Sequence, residues 1–260
     1  MTPPLFRLSP LPPGDTLVLE GDEGRHAATV RRLQLGEVVE VTDGAGRVAT
    51  CRVVGLGASG QRLELAVDVR REEPAPQPWV VVVQALVKGD RSELAVELCT
   101  EVGVDELVPW AAQRSIARWA GERTLRRWTA VAEAAARQSR RARWPLVRPA
   151  PGLDELTARV RAADLALLLD EQAAAALAGV VVPPQGEVLL VVGPEGGYTV
   201  AEHDALVGAG AQPVRLGPSV LRASSAGAVG AGVLLSRTHR WDGLPSSTGT
   251  RGADSRRSPA

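Results

Sequence analysis

The sequence predicts an α/β protein made of a small β-barrel followed by an α/β domain on a mainly parallel sheet. Three observations carry that expectation. Val80–Val83 and Val188–Val192 are unbroken apolar runs, the pattern of strands buried on both faces. From Trp79 onward, strand-like and helix-like segments alternate, which is the signature of a parallel sheet with crossover helices. Before about residue 70 the patterns are short and strand-like, and Asp43-Gly44-Ala45-Gly46 between two of them is a hairpin signal.

In chain order, the barrel strands are expected at Thr16–Glu20, Val38–Thr42, Arg47–Val54 and Arg62–Val69. A short helix is expected over His26–Leu33, with Ala27, Val30 and Leu33 turned inward. Residues 1–71 would make up this barrel. Residues 72–78 read as a linker, because Pro74, Pro76 and Pro78 exclude a helix or an inner strand and favour a stiff extended spacer. The second unit spans 79–241. Its strands are expected at Val80–Leu86, Leu107–Trp110, Leu165–Leu169, Val188–Val192 and Val214–Leu216. Its helices are expected at Ser92–Val102, Thr124–Arg141, Asp154–Arg161, Ala201–Val207 and Ser225–His239. Thr199-Val200-Ala201-Glu202 is a capping box that starts one of them. Residues 242–260 have no apolar pattern and read as a disordered tail.

With 260 residues, of which 45% are hydrophobic and 23% charged, the chain has the means for a real core. No apolar run reaches membrane-spanning length, and Met1–Arg7 lacks the layout of a signal peptide. The two cysteines, Cys51 and Cys99, suit a reduced, cytoplasmic protein. The formal net charge is zero, so attraction to nucleic acid must come from uneven charge distribution. Of the 30 basic residues only Lys88 is lysine, a compact ammonium where every other cation is a planar fork.

Two glycine-bearing loops point to a ligand. The first is Gly193-Pro194-Glu195-Gly196-Gly197 after an apolar strand; the second runs from Leu216-Gly217 through Leu221-Arg222 to Ala226. Glycine permits sharp turns and close approach of backbone to ligand, and ligands in open α/β sheets sit beyond the carboxyl ends of strands. The spacing is neither the dinucleotide fingerprint nor a phosphate loop, so an adenosine-like ligand is expected rather than a phosphate-rich one. Along the helix from Thr124, Leu125, Trp128, Val131, Ala132 and Ala135 share one face, while Arg126, Arg137, Arg140 and Arg141 share the other. That basic stripe reads either as a solvated face or as a track for a phosphate backbone. The following loop to Trp144-Pro145 is expected to hold phosphate and stack a base. His26, His203 and His239 have no metal-ligand spacing, and no nucleophile elbow is present, so no metal is expected.

Taken together these blocks resemble the SPOUT class of methyltransferases, in particular the bacterial small-subunit ribosomal RNA uridine-N3 methyltransferase family. The resemblance runs from about Leu5 to Trp241 through His26 with Val30-Arg31-Arg32-Leu33, Asp43-Gly44 with Gly46, and Lys88-Gly89-Asp90-Arg91. It continues through Thr100-Glu101-Val102-Gly103-Val104, Gln138-Ser139 with Arg141, and the two glycine loops. It implies a PUA-like barrel that helps hold RNA and a C-terminal domain with a trefoil knot. It implies S-adenosylmethionine as cofactor, 16S ribosomal RNA or the small subunit as substrate, and a homodimer. Cofactor contacts would fall on Leu169, Gly193, Pro194, Glu195, Gly196, Gly197, Leu216, Gly217, Leu221, Arg222 and Ala226. RNA contacts would fall on His26, Arg31, Arg32, Lys88, Arg91, Arg137 and Arg140. Catalytic roles are expected of Arg222 first, then Arg141 and Ser224.

One position departs from the family pattern. Where the last motif commonly carries a carboxylate, this chain has Ser224 in Leu221-Arg222-Ala223-Ser224-Ser225-Ala226. A positional role, with Ser224 or Ser225 as hydrogen-bonding partner, is the expectation. Two other functions share part of this evidence: a SPOUT ribose 2′-O-methyltransferase, and a non-catalytic RNA-binding or ribosome assembly factor.

Overall fold

The computed structural model describes residues 3–57 and 61–242. The tail expected to be disordered lies, beyond Asp242, outside the described residues.

The N-terminal sheet contains β1 (Leu5–Arg7), β2 (Thr16–Leu19), β3 (Val38–Thr42), β4 (Arg47–Leu56) and β5 (Leu63–Glu72) in the spatial order β1-β3-β4-β5-β2. All neighbours are antiparallel except β1 with β3. The long strands β4 and β5 pair with register shifts at Thr50/Cys51 and Val53/Gly55, which bend them around a shared core. Alternate residues supply that core: Phe6, Leu17, Leu19, Val39, Val41, Cys51, Val53, Leu63 and Leu65 are all buried. Asp43 organises the β3–β4 turn. Its carboxylate accepts from the backbone N–H groups of Ala45 and Arg47 and from Arg47 Nε.

The short helix differs from expectation. It begins earlier, as α1 (Gly21–Arg25), and passes into a π-helical turn over His26–Val30. The Arg31 N–H reaches back five residues to the His26 carbonyl, widening the turn. Ala27 and Leu33 are buried as expected, but the wider turn carries Val30 out to solvent, 66% exposed.

The second sheet has the order β11-β9-β10-β6-β7-β8, every pair parallel. Its strands are β6 (Trp79–Ala85), β7 (Glu106–Trp110), β8 (Leu146–Val147), β9 (Leu165–Leu169), β10 (Glu187–Val192) and β11 (Gln212–Val214). Its helices are α2 (Arg91–Val102), α3 (Glu122–Gln138), α4 (Leu153–Ala162), α5 (Val200–Gly208) and α6 (Ala223–Leu235). The apolar runs split by parity. Val80, Val82 and Leu190 pack with Val96, Trp128, Ala231 and Leu234 on one face. Val81, Val83, Leu189 and Val191 pack with Leu156, Val160 and Leu206 on the other. Both cysteines are free and buried, Cys51 in the barrel and Cys99 on α2.

From the edge strand β11 the chain returns to the middle of the sheet, where α6 packs on α2 and against β10 and β6. The last strand lies earlier than expected. Leu216 is beyond it, because Arg215 pairs with the loop after β9, its N–H on Ala175 and its carbonyl receiving Leu177. The helix expected to reach His239 stops at Leu235. Thr238 donates its hydroxyl to the Leu235 carbonyl and caps a separate 3-10 turn, His239–Trp241.

Candidate active site

Parallel strands β9, β10 and β11 end at the same edge of the sheet, so the loops that follow them converge there. They enclose an open cavity of about 800 Å³. All eleven residues expected to hold a cofactor line it: Leu169, Gly193 through Gly197, Leu216, Gly217, Leu221, Arg222 and Ala226. Asp170, Arg114, Tyr198 and His203 also line it and were not anticipated.

The first glycine loop is held from below and from one side. Tyr198 donates its hydroxyl to the carbonyls of Leu169 (3.1 Å) and Val191 (3.2 Å), tying the ends of β9 and β10 together. Burial pushes this phenol far above its ordinary range, so it stays neutral and serves as a strut. Gly197 has φ +68°, a left-handed conformation that favours glycine. Arg114, from the loop after β7, donates to the carbonyls of Gly196 and Tyr198 at 3.0 Å each. The loop then enters α5 through the capping box: Thr199 Oγ1 accepts from the Glu202 N–H, and Glu202 accepts from the Thr199 N–H. The buried Glu202 carboxylate also receives the Gln113 N–H at 2.7 Å, fastening the β7 loop to the same corner.

Across the cavity, Arg222 is the N-cap residue of α6 and is exposed. The start of that helix is anchored by buried Gln84 at the end of β6, whose Nε2 donates to the Ala223 carbonyl at 3.3 Å. Asp170 and His203 face one another, with 3.4 Å between Oδ2 and Nε2.

Other expected site residues are placed elsewhere. Arg141 does not line the cavity. Its Nη1 donates to the carbonyls of Thr100 and Val104, and its Nη2 lies 3.6 Å from buried Asp105, which makes it a brace at the far end of α3. Ser224 is buried at the start of α6 and is not part of the cavity wall. Arg137 is ion-paired with Glu23 of α1 at 2.6 Å, and Trp144 is 6% exposed between Arg7 and Arg137. The continuous basic stripe therefore dissolves, and its tryptophan cannot stack a base. Arg31, Arg32, Lys88, Arg91 and Arg140 are exposed. His26 is half-buried with its ring edge-on to Phe6, and burial, then the nearby Arg137, lower its pKa below 6.5.

A glycine-lined cavity at the carboxyl edge of a parallel sheet defines a ligand-binding α/β protein. A family model for an RNA methyltransferase domain matches residues 73–235, and one for an RNA methyltransferase PUA domain matches residues 19–60. The chain is 46% identical over 246 residues to "Ribosomal RNA small subunit methyltransferase E" of Mycobacterium tuberculosis, covering 92% of this chain and 93% of that protein. A crystal structure of a protein of the same name from Neisseria gonorrhoeae, bound to S-adenosyl methionine, is 27% identical with a TM-score of 0.78 and covers 90% of this chain and 98% of that one. A Legionella pneumophila methyltransferase structure shares the fold, with 24% identity, a TM-score of 0.80, and 92% and 99% of the two chains covered. The chain belongs to the RNA methyltransferase family of which these small-subunit enzymes are members.

Proposed function

We propose that the protein uses S-adenosylmethionine to methylate N3 of a specific uridine in 16S ribosomal RNA, working in the cytoplasm as a homodimer. The observation that carries this reading is the convergence of three carboxyl-end loops on one cavity with the exposed guanidinium of Arg222 at its edge.

The cavity's chemistry fits the cofactor. Leu169, Val214, Leu216, Leu221 and Ala226 offer apolar surface, and Gly193, Gly196, Gly197 and Gly217 offer approachable backbone. The carboxylates of Asp170 and Glu195 suit a ligand bearing a sulfonium and an ammonium rather than phosphates. When bound, S-adenosylmethionine supplies an electrophilic methyl group and leaves as S-adenosylhomocysteine.

The chain's own task is to present the uracil and stabilise its anion. N3 must lose its proton as the N–CH3 bond forms and the S–CH3 bond breaks, and the proton passes to solvent. Ionising N3 near neutral pH costs about 3 kcal/mol if its pKa lies about two units above. Arg222 beside the developing anion offsets that cost. N3 sits on the pairing edge, so the base must leave its pair or stack first. Arg31, Arg32, Lys88, Arg91 and Arg140 would hold the RNA backbone. Ser224, buried outside the cavity, has a positional role in this reading.

Calorimetric titration with S-adenosylmethionine, with Gly197→Trp as the blocked control, tests the site. Digestion and mass analysis of nucleosides from treated small-subunit RNA tests the reaction. Base-methylated uridine is the expected product; a ribose-methylated fragment overturns the N3 reading. RNA binding with no cofactor binding would move the protein to the assembly-factor class.

A further inference from the structure

The joint between barrel and α/β domain contains an arrangement that neither the cavity nor the core requires. On the barrel side, Arg7 of β1 and Glu23 of α1 are adjacent, the Arg7 N–H lying 3.3 Å from Glu23 Oε2. On the other side, Glu133 and Arg137 are one turn apart on α3. Arg7 pairs with Glu133 and Arg137 pairs with Glu23, so the four charges alternate. Trp144 fills the centre, with the guanidinium carbons of Arg7 and Arg137 at 4.7 and 5.5 Å from its ring centroid.

Such a square resists sliding in a way that one ion pair does not. Moving α3 by one turn would set Arg7 against Arg137, or Glu23 against Glu133. Backbone ties reinforce the register. The Trp144 N–H donates to the Gly44 carbonyl (2.9 Å), Thr42 Oγ1 to the Ala142 carbonyl (2.7 Å), and Arg143 to the Glu73 carbonyl (2.9 Å). The helix that carries Glu23 continues directly into the π-turn and the exposed Arg31 and Arg32. The helix that carries Arg137 packs on the sheet whose far edge forms the cavity.

We propose that the alternating square of Arg7, Glu23, Glu133 and Arg137 around Trp144 is a positioning device that sets the span between RNA held on the barrel and the nucleotide presented at Arg222. The substrate it suits is a folded RNA that spans both units, not a short single strand. Arg7, Glu133, Arg137 and Trp144 are positioning residues in this account and touch no reacting atom. The proposal rests on the methylation reading above.

The test is a charge-reversal series. Arg7→Glu and Glu133→Arg singly should raise KM for small-subunit RNA about tenfold, and reversing Arg7, Glu23, Glu133 and Arg137 together, which restores the alternation, should return it to within about threefold of the parent. Turnover at saturation and cofactor affinity should not move, which separates positioning from a general loss of structure. Trp144→Phe, which keeps an aromatic face for both guanidinium groups, should behave as the parent, and Trp144→Leu as the single reversals. An unchanged KM in the single reversals, or a raised KM that reversing all four charges fails to recover, overturns the proposal. If a single reversal fails to fold, the Trp144→Phe and Trp144→Leu comparison decides by the same KM criterion. If the parent protein methylates no RNA, the methylation reading fails by itself, and RNA affinity measured on the same variants still decides whether the square matters.

Discussion

Tyr198 stands directly beneath Gly193: a β-carbon at position 193 would lie 2.8 Å from Tyr198 Cζ and 3.1 Å from both adjacent ring carbons. The ring cannot retreat, because it stacks on Trp110 with centroids 6.0 Å apart and its hydroxyl bridges the carbonyls of Leu169 and Val191. Gly193→Ala should therefore displace the first glycine loop, destabilising the fold by about 1–3 kcal/mol, the usual cost of overpacking. It should also weaken S-adenosylmethionine binding at least about tenfold, since 1.4 kcal/mol of loop displacement suffices for that. Urea unfolding and calorimetry check both numbers. Parent-like values would show that the loop accommodates the methyl group.

Arg222 caps α6 at the cavity edge, and its side chain is available to a substrate. Arg222→Ala should lower kcat by about a hundredfold or more, the usual loss when a donor to a developing anion is removed. RNA affinity should stay near the parent value. Single-turnover methylation alongside RNA binding separates these effects, and a loss confined to RNA affinity would remove Arg222 from the catalytic role.

Asp105 lies at the opposite end of the sheet and closes the C-terminal turn. Its fully buried carboxylate accepts two hydrogen bonds from Arg240 (2.6 and 3.0 Å) and one from the Val80 N–H (2.8 Å), with Arg141 beside it. Removing one partner leaves an uncompensated buried charge. Asp105→Ala should thus destabilise by about 3–5 kcal/mol in urea unfolding while leaving the cofactor affinity of the folded fraction unchanged. A loss below about 1 kcal/mol would mean that the surroundings already screen these charges.

His26 makes barrel stability sensitive to mild acid. Burial and then Arg137 hold its folded-state pKa below the ordinary 6.5. As pH falls below about 6.5 the unfolded chain takes up this proton before the folded one does, so stability declines until the folded-state pKa is passed. His26→Gln should flatten the dependence of the urea midpoint between pH 7.5 and pH 5. A slope equal to the parent's would assign the effect to other groups.

The succession of strands and helices in the α/β domain and the glycine-bearing loops at its sheet edge were legible in the sequence because both signals are local. Val80–Val83 and Val188–Val192 announce doubly buried strands by composition alone, and glycine marks the close turns at 193–197. Tyr198, the only tyrosine in the chain, was a signal left unread beside Gly196-Gly197. Arg114 had none, since it reaches Gly196 from another strand's loop.

Local patterning along the chain set the order of elements, the apolar faces and the place where glycine opens a cavity. Which arginines are left open to a ligand depends on contacts that form only on folding. Arg137, Arg141 and Arg222 are the same residue type, and helix periodicity put Arg137 and Arg141 on one solvent-facing stripe. Arg137 is claimed by Glu23, 114 positions away, and Arg141 by the carbonyls of Thr100 and Val104 beside Asp105, while Arg222 remains exposed at the cavity. A guanidinium's availability is set by the charges and carbonyls that folding brings within reach, and periodicity along one helix carries no information about partners that distant in the chain.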